Sequence, residues 1–329
     1  MHGWLIIDKP LGPGSTEVVT AVKRALRAGG YGKMKVGHGG TLDPLASGVL
    51  PVALGEATKL AGRMLDSDKT YEFTIRFGAQ TDTLDLEGAV VATSDVRPTL
   101  AEIEAVLPRF TGPIAQVPPA YSALKVDGRR AYDLARAGEE VALATRNVTV
   151  HSLAPLRHPE LASVSIPPPD GFSAEEWMLK QIQHDGAGQE EVSLTCSVSK
   201  GTYIRSLARD IALALGTVGH VVMLRRTKAG PFGLNSAISL DKLADLGHAR
   251  RLEQALLPLM AGLDDIPALS VTPDQAQALR EGRRLIGTAA TPGLHLAIDR
   301  AVPVALVECD GVEVWVVRGF NLPMSKEET

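Results

Sequence analysis

Two stretches of the chain alternate apolar and polar residues with a period of two, and no other feature constrains its fold as strongly. In residues 70–77, Tyr71, Phe73, Ile75 and Phe77 fall on one face and Thr70, Glu72, Thr74 and Arg76 on the other. In residues 192–199, Val192, Leu194, Cys196 and Val198 share a face in the same way. Successive side chains of a strand point to opposite faces, so both stretches read as strands with one buried side. Helical periodicity is interleaved with them. After a turn at 10–14, Ser15 or Thr16 can cap a helix with Val18, Val19, Val22, Ala25 and Leu26 inward, ended by Gly29-Gly30. Thr99-Leu100-Ala101-Glu102 reads as a capping box opening a helix with Ile103, Val106, Leu107 and Phe110 inward. Lys200-Gly201 turns the chain, and Thr202 can cap a helix with Ile204, Leu207, Ala208, Ile211 and Leu215 inward, stopped by Gly216. The class is α+β.

Periodicity fails between about 155 and 190, where Pro155, Pro159, Pro167-Pro168-Pro169 and Gly186-Ala187-Gly188 punctuate a polar stretch. This reads as an unusual loop insertion at the surface. A second break runs from Pro258 to Pro267. Beyond it, residues 294–298, 302–308 and 312–317 look like strands, with Asp310-Gly311 as a tight hairpin turn. A length of 329 residues suits two domains, a main one over 1–255 and a small β-rich one over 268–329.

Composition removes several function classes. The chain carries 34 Lys+Arg against 38 Asp+Glu, a net charge of −4, which argues against a generally sticky nucleic-acid binder but permits a local basic surface. There is no apolar run long enough for a membrane span and no basic-then-apolar leader at the start, so a cytoplasmic location is expected. Cys196 and Cys309 offer neither a disulfide framework nor a paired-cysteine metal site. Gly37-His38-Gly39-Gly40-Thr41-Leu42 begins like a dinucleotide fingerprint but has Leu42 where the third glycine belongs. His158-Pro159-Glu160 lacks the paired cysteines that would complete a zinc deaminase pattern. We therefore expect chemistry without a metal or nucleotide cofactor.

What remains is residues 35–59, KVGHGGTLDPLASGVLPVALGEATK. Gly37, Gly39, Gly40 and Gly48 permit backbone paths that a Cβ would forbid. Taken alone, Asp43-Pro44 reads as a helix N-cap with proline at the first helical position, and His38 as a loop histidine bonded to nearby backbone. Their company suggests more. His38, Thr41 and Asp43 share a glycine-rich loop, and residues 20–40 upstream carry Lys23, Arg24, Arg27, Lys33 and Lys35 with no acid.

This block closely resembles the catalytic motif of the TruB family of tRNA pseudouridine synthases, G-H-x-G-x-L-D-P-x-A-x-G-x-L. Asp8-Lys9-Pro10, Ser67-Asp68-Lys69-Thr70-Tyr71, Pro119-Ala120-Tyr121-Ser122-Ala123-Leu124-Lys125, Ser199-Lys200-Gly201-Thr202-Tyr203-Ile204-Arg205-Ser206 and Leu224-Arg225-Arg226 follow in family order. The resemblance implies a pseudouridine-synthase-like mixed sheet with flanking helices, an RNA-contacting insertion at about 118–150, and a PUA-like C-terminal domain. It implies isomerisation of uridine 55 in the T loop of tRNA: uracil leaves C1′, rotates and rejoins through C5 after being flipped from the RNA stack.

By the same resemblance Asp43 is the essential carboxylate, acting as a nucleophile on C1′ or by removing the C2′ proton. Arg205 is placed opposite it; Tyr71, Tyr203 and Leu224 line the base pocket; His38 inserts beside the vacated position; Lys9 supports the site. Read without the family, Arg205 is a solvated arginine in a first helical turn, Tyr71 a half-buried strand tyrosine, Leu224 a core leucine and Lys9 a solvated strand end. RNA contact is expected from residues 20–40, 120–136 and 200–228, all net basic. The partner implied is the T arm of tRNA, with no membrane, no obligate protein partner and a monomeric state. The competing readings are an RNA-binding or RNA-folding module, and a synthase acting on another RNA uridine. Residues 155–190 have no counterpart in the family pattern, and Pro13-Gly14-Ser15-Thr16 departs from its serine-rich turn.

Overall fold

The computed structural model describes residues 1–122, 124–126, 128–139, 143–156 and 188–322. Most of the 155–190 insertion and part of the 118–150 segment lie outside the described residues. The chain divides into two compact units, residues 1–44, 48–65 and 229–329 in the first and residues 45–47 and 66–228 in the second.

In the first unit the strand Gly3–Lys9 pairs antiparallel with the strand Ala46–Leu54, from Gly3↔Leu54 to Lys9↔Gly48, and on its other edge with Leu256–Pro258. The short strand Val36–His38 lies on the far edge of Ala46–Leu54, with His38 opposite Val52. Trp4 anchors the core: it is fully buried, its ring lies 5.3 Å from Phe232, and its indole Nε1 donates to Leu259 O at 3.2 Å. A buried indole needs that acceptor, because its N–H would otherwise lose water without replacement. Val49, Ala53, Leu60 and Met64 belong to the same cluster. The helix Ser15–Ala28 buries Val18, Val19, Val22, Ala25 and Leu26. Its N-cap is Gly14, not Ser15 or Thr16 as the sequence suggests; Glu17 instead accepts from the Gly14 amide at 2.6 Å.

The same unit holds a five-stranded sheet in the order Ala268–Ser270, Gly293–Asp299, Val302–Cys309, Glu313–Gly319, Leu285–Ile286. The first pair is parallel and the rest antiparallel. The helix Pro273–Arg280, capped by Thr272, buries Ala276 and Leu279 in its core. Three of these strands and the Asp310-Gly311 turn are legible as sequence pattern, whereas the two short strands and the helix are not. The Asp310 carboxylate accepts from the Val312 and Glu313 amides, which holds its pKa below the usual value.

In the second unit the strands Gly219–Ala229, Lys69–Phe77, Glu191–Val198, Arg146–Pro155 and Gly112–Gln116 lie side by side in that order. Lys69–Phe77 and Glu191–Val198 pair without a break from Lys69↔Val198 to Arg76↔Glu191. This register puts Phe73, Ile75, Phe77, Val192, Leu194, Cys196 and Val198 into one core, as the alternation requires. The helix Ile204–Ala214 closes that core with Ile204, Leu207, Ala208 and Ile211. Its N-cap residue is Tyr203; Thr202 donates its hydroxyl to Ser199 O at 2.9 Å instead of capping. Thr99 caps Leu100–Val106 through the capping box expected. Burial pushes the Cys196 thiol up to about 12, so it is an inert core residue.

Candidate active site

No helix follows Asp43. The chain passes through a turn at Pro44 and enters the strand Ala46–Leu54, so the helix-cap reading of Asp43-Pro44 is overturned. Asp43 is half-buried in a loop whose flanking residues are both fastened. On one side, Ser15 Oγ accepts from the Leu42 amide at 2.8 Å and donates to Leu42 O at 3.1 Å. On the other, Pro44 O accepts from the Gly12 amide at 3.0 Å and from Lys9 Nζ at 3.3 Å. Ser15 is free for this because the helix is capped without it. Lys9 is fully buried, and its ammonium also donates to Pro10 O at 2.9 Å and Pro13 O at 2.8 Å. The solvated strand-end reading therefore fails: a buried ammonium spends its donors on the carbonyls of two loops and locks them together.

His38, half-buried, ends its strand five residues before Asp43. Gly39 then passes so close to Met64 that a Cβ would lie 2.5 Å from the Met64 Cβ, and Gly40 takes φ +147. Gly37 shows neither constraint, so of the four glycines it needs its freedom least.

In the second unit Tyr71 and Leu224 are half-buried, and both pack against the core closed by Ile204–Ala214. Tyr203 is held by Gln116, a buried residue on the strand Gly112–Gln116, whose amide accepts from Tyr203 N at 2.8 Å and donates to Tyr203 O at 3.1 Å. Arg205 is only 7% exposed, which rules out a solvated helix-start arginine. Its guanidinium donates to Asp85 Oδ2 at 3.1 Å, Thr83 O at 2.8 Å and Tyr121 O at 3.0 Å. Asp85 is buried too, and its other oxygen accepts from Thr83 Oγ1 and the Glu87 amide. Leu84, between them, sits at φ +63 with its side chain buried. A left-handed leucine is unusual, so this loop is held by its packing and its bonds to Arg205.

Sequence reasoning missed Asp85, Thr83 and Gln116. The signal was faint: Asp82-Thr83-Leu84-Asp85 is an ordinary polar turn until Arg205 is folded onto it. The basic stretch 200–228 also changes meaning. Arg205 and Arg226 are buried, so their charge is not offered to a polyanion, and the exposed Lys200 pairs with Asp66 at 3.0 Å. In 120–136, Arg129 pairs with Glu139 at 2.9 Å and Arg136 stacks on Tyr132. Lys23, Arg24, Arg27, Lys33 and Lys35, in contrast, are all exposed.

Lys69, beside Tyr71 in the chain, is 8% exposed, and burial followed by the charge of Arg226 lowers its pKa to about 8. Between pH 8 and the unfolded lysine value of about 10.4 the unfolded chain binds the extra proton, so stability rises with pH across that window. Below pH 8 the full cost of a buried charge is present. Urea unfolding at pH 8 and pH 10 will show this rise, and Lys69→Gln will flatten it.

Solved structures define the class first. The chain resembles the structure of an H/ACA RNP bound to a substrate RNA containing 2′-deoxyuridine, with a TM-score of 0.67, 25% identity, and coverage of 98% of this chain and 85% of that one. A Cbf5-Nop10-Gar1 complex matches equally well, with a TM-score of 0.67 and 26% identity over 96% of this chain and 84% of that one. Residues 25–166 match the model of the TruB family pseudouridylate synthase N-terminal domain, and residues 205–264 the tRNA pseudouridylate synthase B C-terminal domain. Proteins named tRNA pseudouridine synthase B are 59% identical in Novosphingobium aromaticivorans, over 98% of each chain, and 55% identical in Zymomonas mobilis, over 98% of this chain and 96% of the relative. The chain belongs to the TruB family of pseudouridine synthases, and it is an isomerase. Among the described residues no helix is long and apolar enough to cross a membrane.

Proposed function

We propose that this enzyme converts uridine 55 in the T loop of tRNA to pseudouridine, with Asp43 as the reacting carboxylate. One observation carries the reading: Leu42 and Pro44, the neighbours of Asp43, are each pinned to the first turn of the chain, through Ser15 and through Gly12 with Lys9. A carboxylate presented on a doubly anchored loop is preorganised, so little reorganisation is needed to bring it to a flipped nucleotide. The names of the relatives at 59% and 55% identity support tRNA as the substrate.

Arg205 supplies positive charge to the reaction while Asp85 and two carbonyls fix its orientation. Tyr71, Tyr203 and Leu224 form the base pocket and His38 fills the space the base leaves. Residues 268–329 act as a PUA-like module and residues 118–150 as an RNA-contacting insertion on a catalytic domain of residues 1–255. The enzyme works as a cytoplasmic monomer.

The test is incubation with unmodified tRNA carrying tritium at uracil C5. Release of label at one equivalent per tRNA is expected, and absence of release rejects the reading. Carbodiimide-blocked primer extension then maps the product. A block at another position, or in ribosomal RNA alone, would assign the enzyme a different uridine.

A further inference from the structure

The exposed cations of residues 20–35 do not stand alone. The helix Ser15–Ala28 crosses the helix Leu240–His248 so closely that a Cβ on Gly247 would lie 2.8 Å from Ala25 O. Tyr31 ties the two helix exits together, accepting from the Leu252 amide at 3.1 Å and donating to Glu253 at 2.7 Å. Lys23, Arg24 and Arg27 lie on the outer face of the first helix, Lys33 and Lys35 follow it, and Arg250 and Arg251 leave the second. All seven are exposed, and none has an ion-pair partner among the described residues. A helix C-terminus favours a nearby cation, but two termini do not call for seven.

Arg250 is the sharper sign. The Arg250 amide bonds Gly247 O at 3.1 Å and the Arg251 amide bonds Leu246 O at 2.8 Å, which closes the helix with a Schellman motif. That motif forces the residue at 250 into the left-handed region, and Arg250 takes φ +55 where glycine is the default. Its guanidinium reaches 4.0 Å from the point where a side chain on Gly30 would begin, beside the last turn of the first helix. An arginine kept at a left-handed position, with its guanidinium beside the end of the first helix, is an outlier that points to use.

We propose that these seven side chains form a track for the phosphodiester backbone of the substrate RNA, leading away from the Asp43 loop; this rests on the RNA reading given above. The track is continuous with the site through Lys35, which directly precedes the strand Val36–His38. Neither helix carries an exposed large apolar residue that could anchor it in a membrane surface. Phosphate contacts of this kind position an RNA without reading its sequence. The second helix also exposes Asp241, Lys242 and Asp245, a net charge of −1 beside the seven cations.

The test compares the wild-type chain with Arg250→Gly/Arg251→Gln and, separately, Arg24→Gln/Arg27→Gln on full-length tRNA transcript. Glycine suits the left-handed position, so the first variant should melt at the same temperature or higher. Each variant should raise KM and Kd, leave kcat at saturating RNA unchanged, and make the slope of log Kd against log salt shallower by about 1.8. Unchanged KM and salt slope in both variants would overturn the track. Should the wild-type chain leave the tRNA unmodified, the substrate reading fails first, and the salt slope of binding then judges the track by itself.

Discussion

Asp43→Asn should reduce tritium release by about 10⁴-fold or more while the melting temperature stays within about 2 °C. Asparagine matches aspartate in shape but can neither attack C1′ as an anion nor accept a proton from C2′. Fold stability should change little, because backbone groups of Leu42 and Pro44 fasten the loop on both sides of Asp43. Binding of tRNA by the variant should persist, which separates a catalytic carboxylate from one that merely shapes the loop. A variant that retains a tenth of the activity would refute the role given to Asp43.

The second large effect is expected at a residue with no motif to announce it. Asp85→Asn leaves the Arg205 guanidinium buried beside a neutral amide. Breaking a buried pair by neutralising one partner costs about 3 kcal/mol, because the remaining charge loses a counter-ion without regaining water. For a unit the size of residues 45–47 and 66–228, which holds the pair, that is a fall of roughly 6–12 °C in its melting temperature. Assayed well below that temperature, kcat should drop by about 10² with RNA affinity little changed, since Arg205 keeps its bonds to Thr83 O and Tyr121 O but loses its fixed orientation. A melting temperature equal to the wild type would show that the Arg205–Asp85 pair carries no net weight.

These two residues mark the limit of what local sequence conveys. Asp43 is visible because the glycines around it and the cations before it make an unusual neighbourhood within 25 residues of chain. Asp85 is invisible because its partner lies 120 positions away and a carboxylate in a polar turn has many meanings. The charge count misleads for the same reason. Residues 200–228 look as basic as residues 20–40, yet Arg205 and Arg226 are buried while Lys23, Arg24, Arg27, Lys33 and Lys35 face solvent. A sum over residues cannot tell a charge used inside from one offered outside.

Period-two alternation is a local property that burial converts directly into a face. The sequence by itself therefore determined the strands Lys69–Phe77 and Glu191–Val198, their inward residues, and the helix core that covers them. It also determined the family, because the motifs of residues 8–10, 37–50, 67–71 and 199–206 are contiguous. Only the tertiary structure decided that Ser15 clamps Leu42 instead of capping a helix, that Lys9 is buried under three carbonyls, and that Arg205 is oriented by Asp85. Each of those choices depends on which distant polar group arrives when water is excluded, and hydrogen-bond satisfaction in a dry interior is a property of the assembled chain.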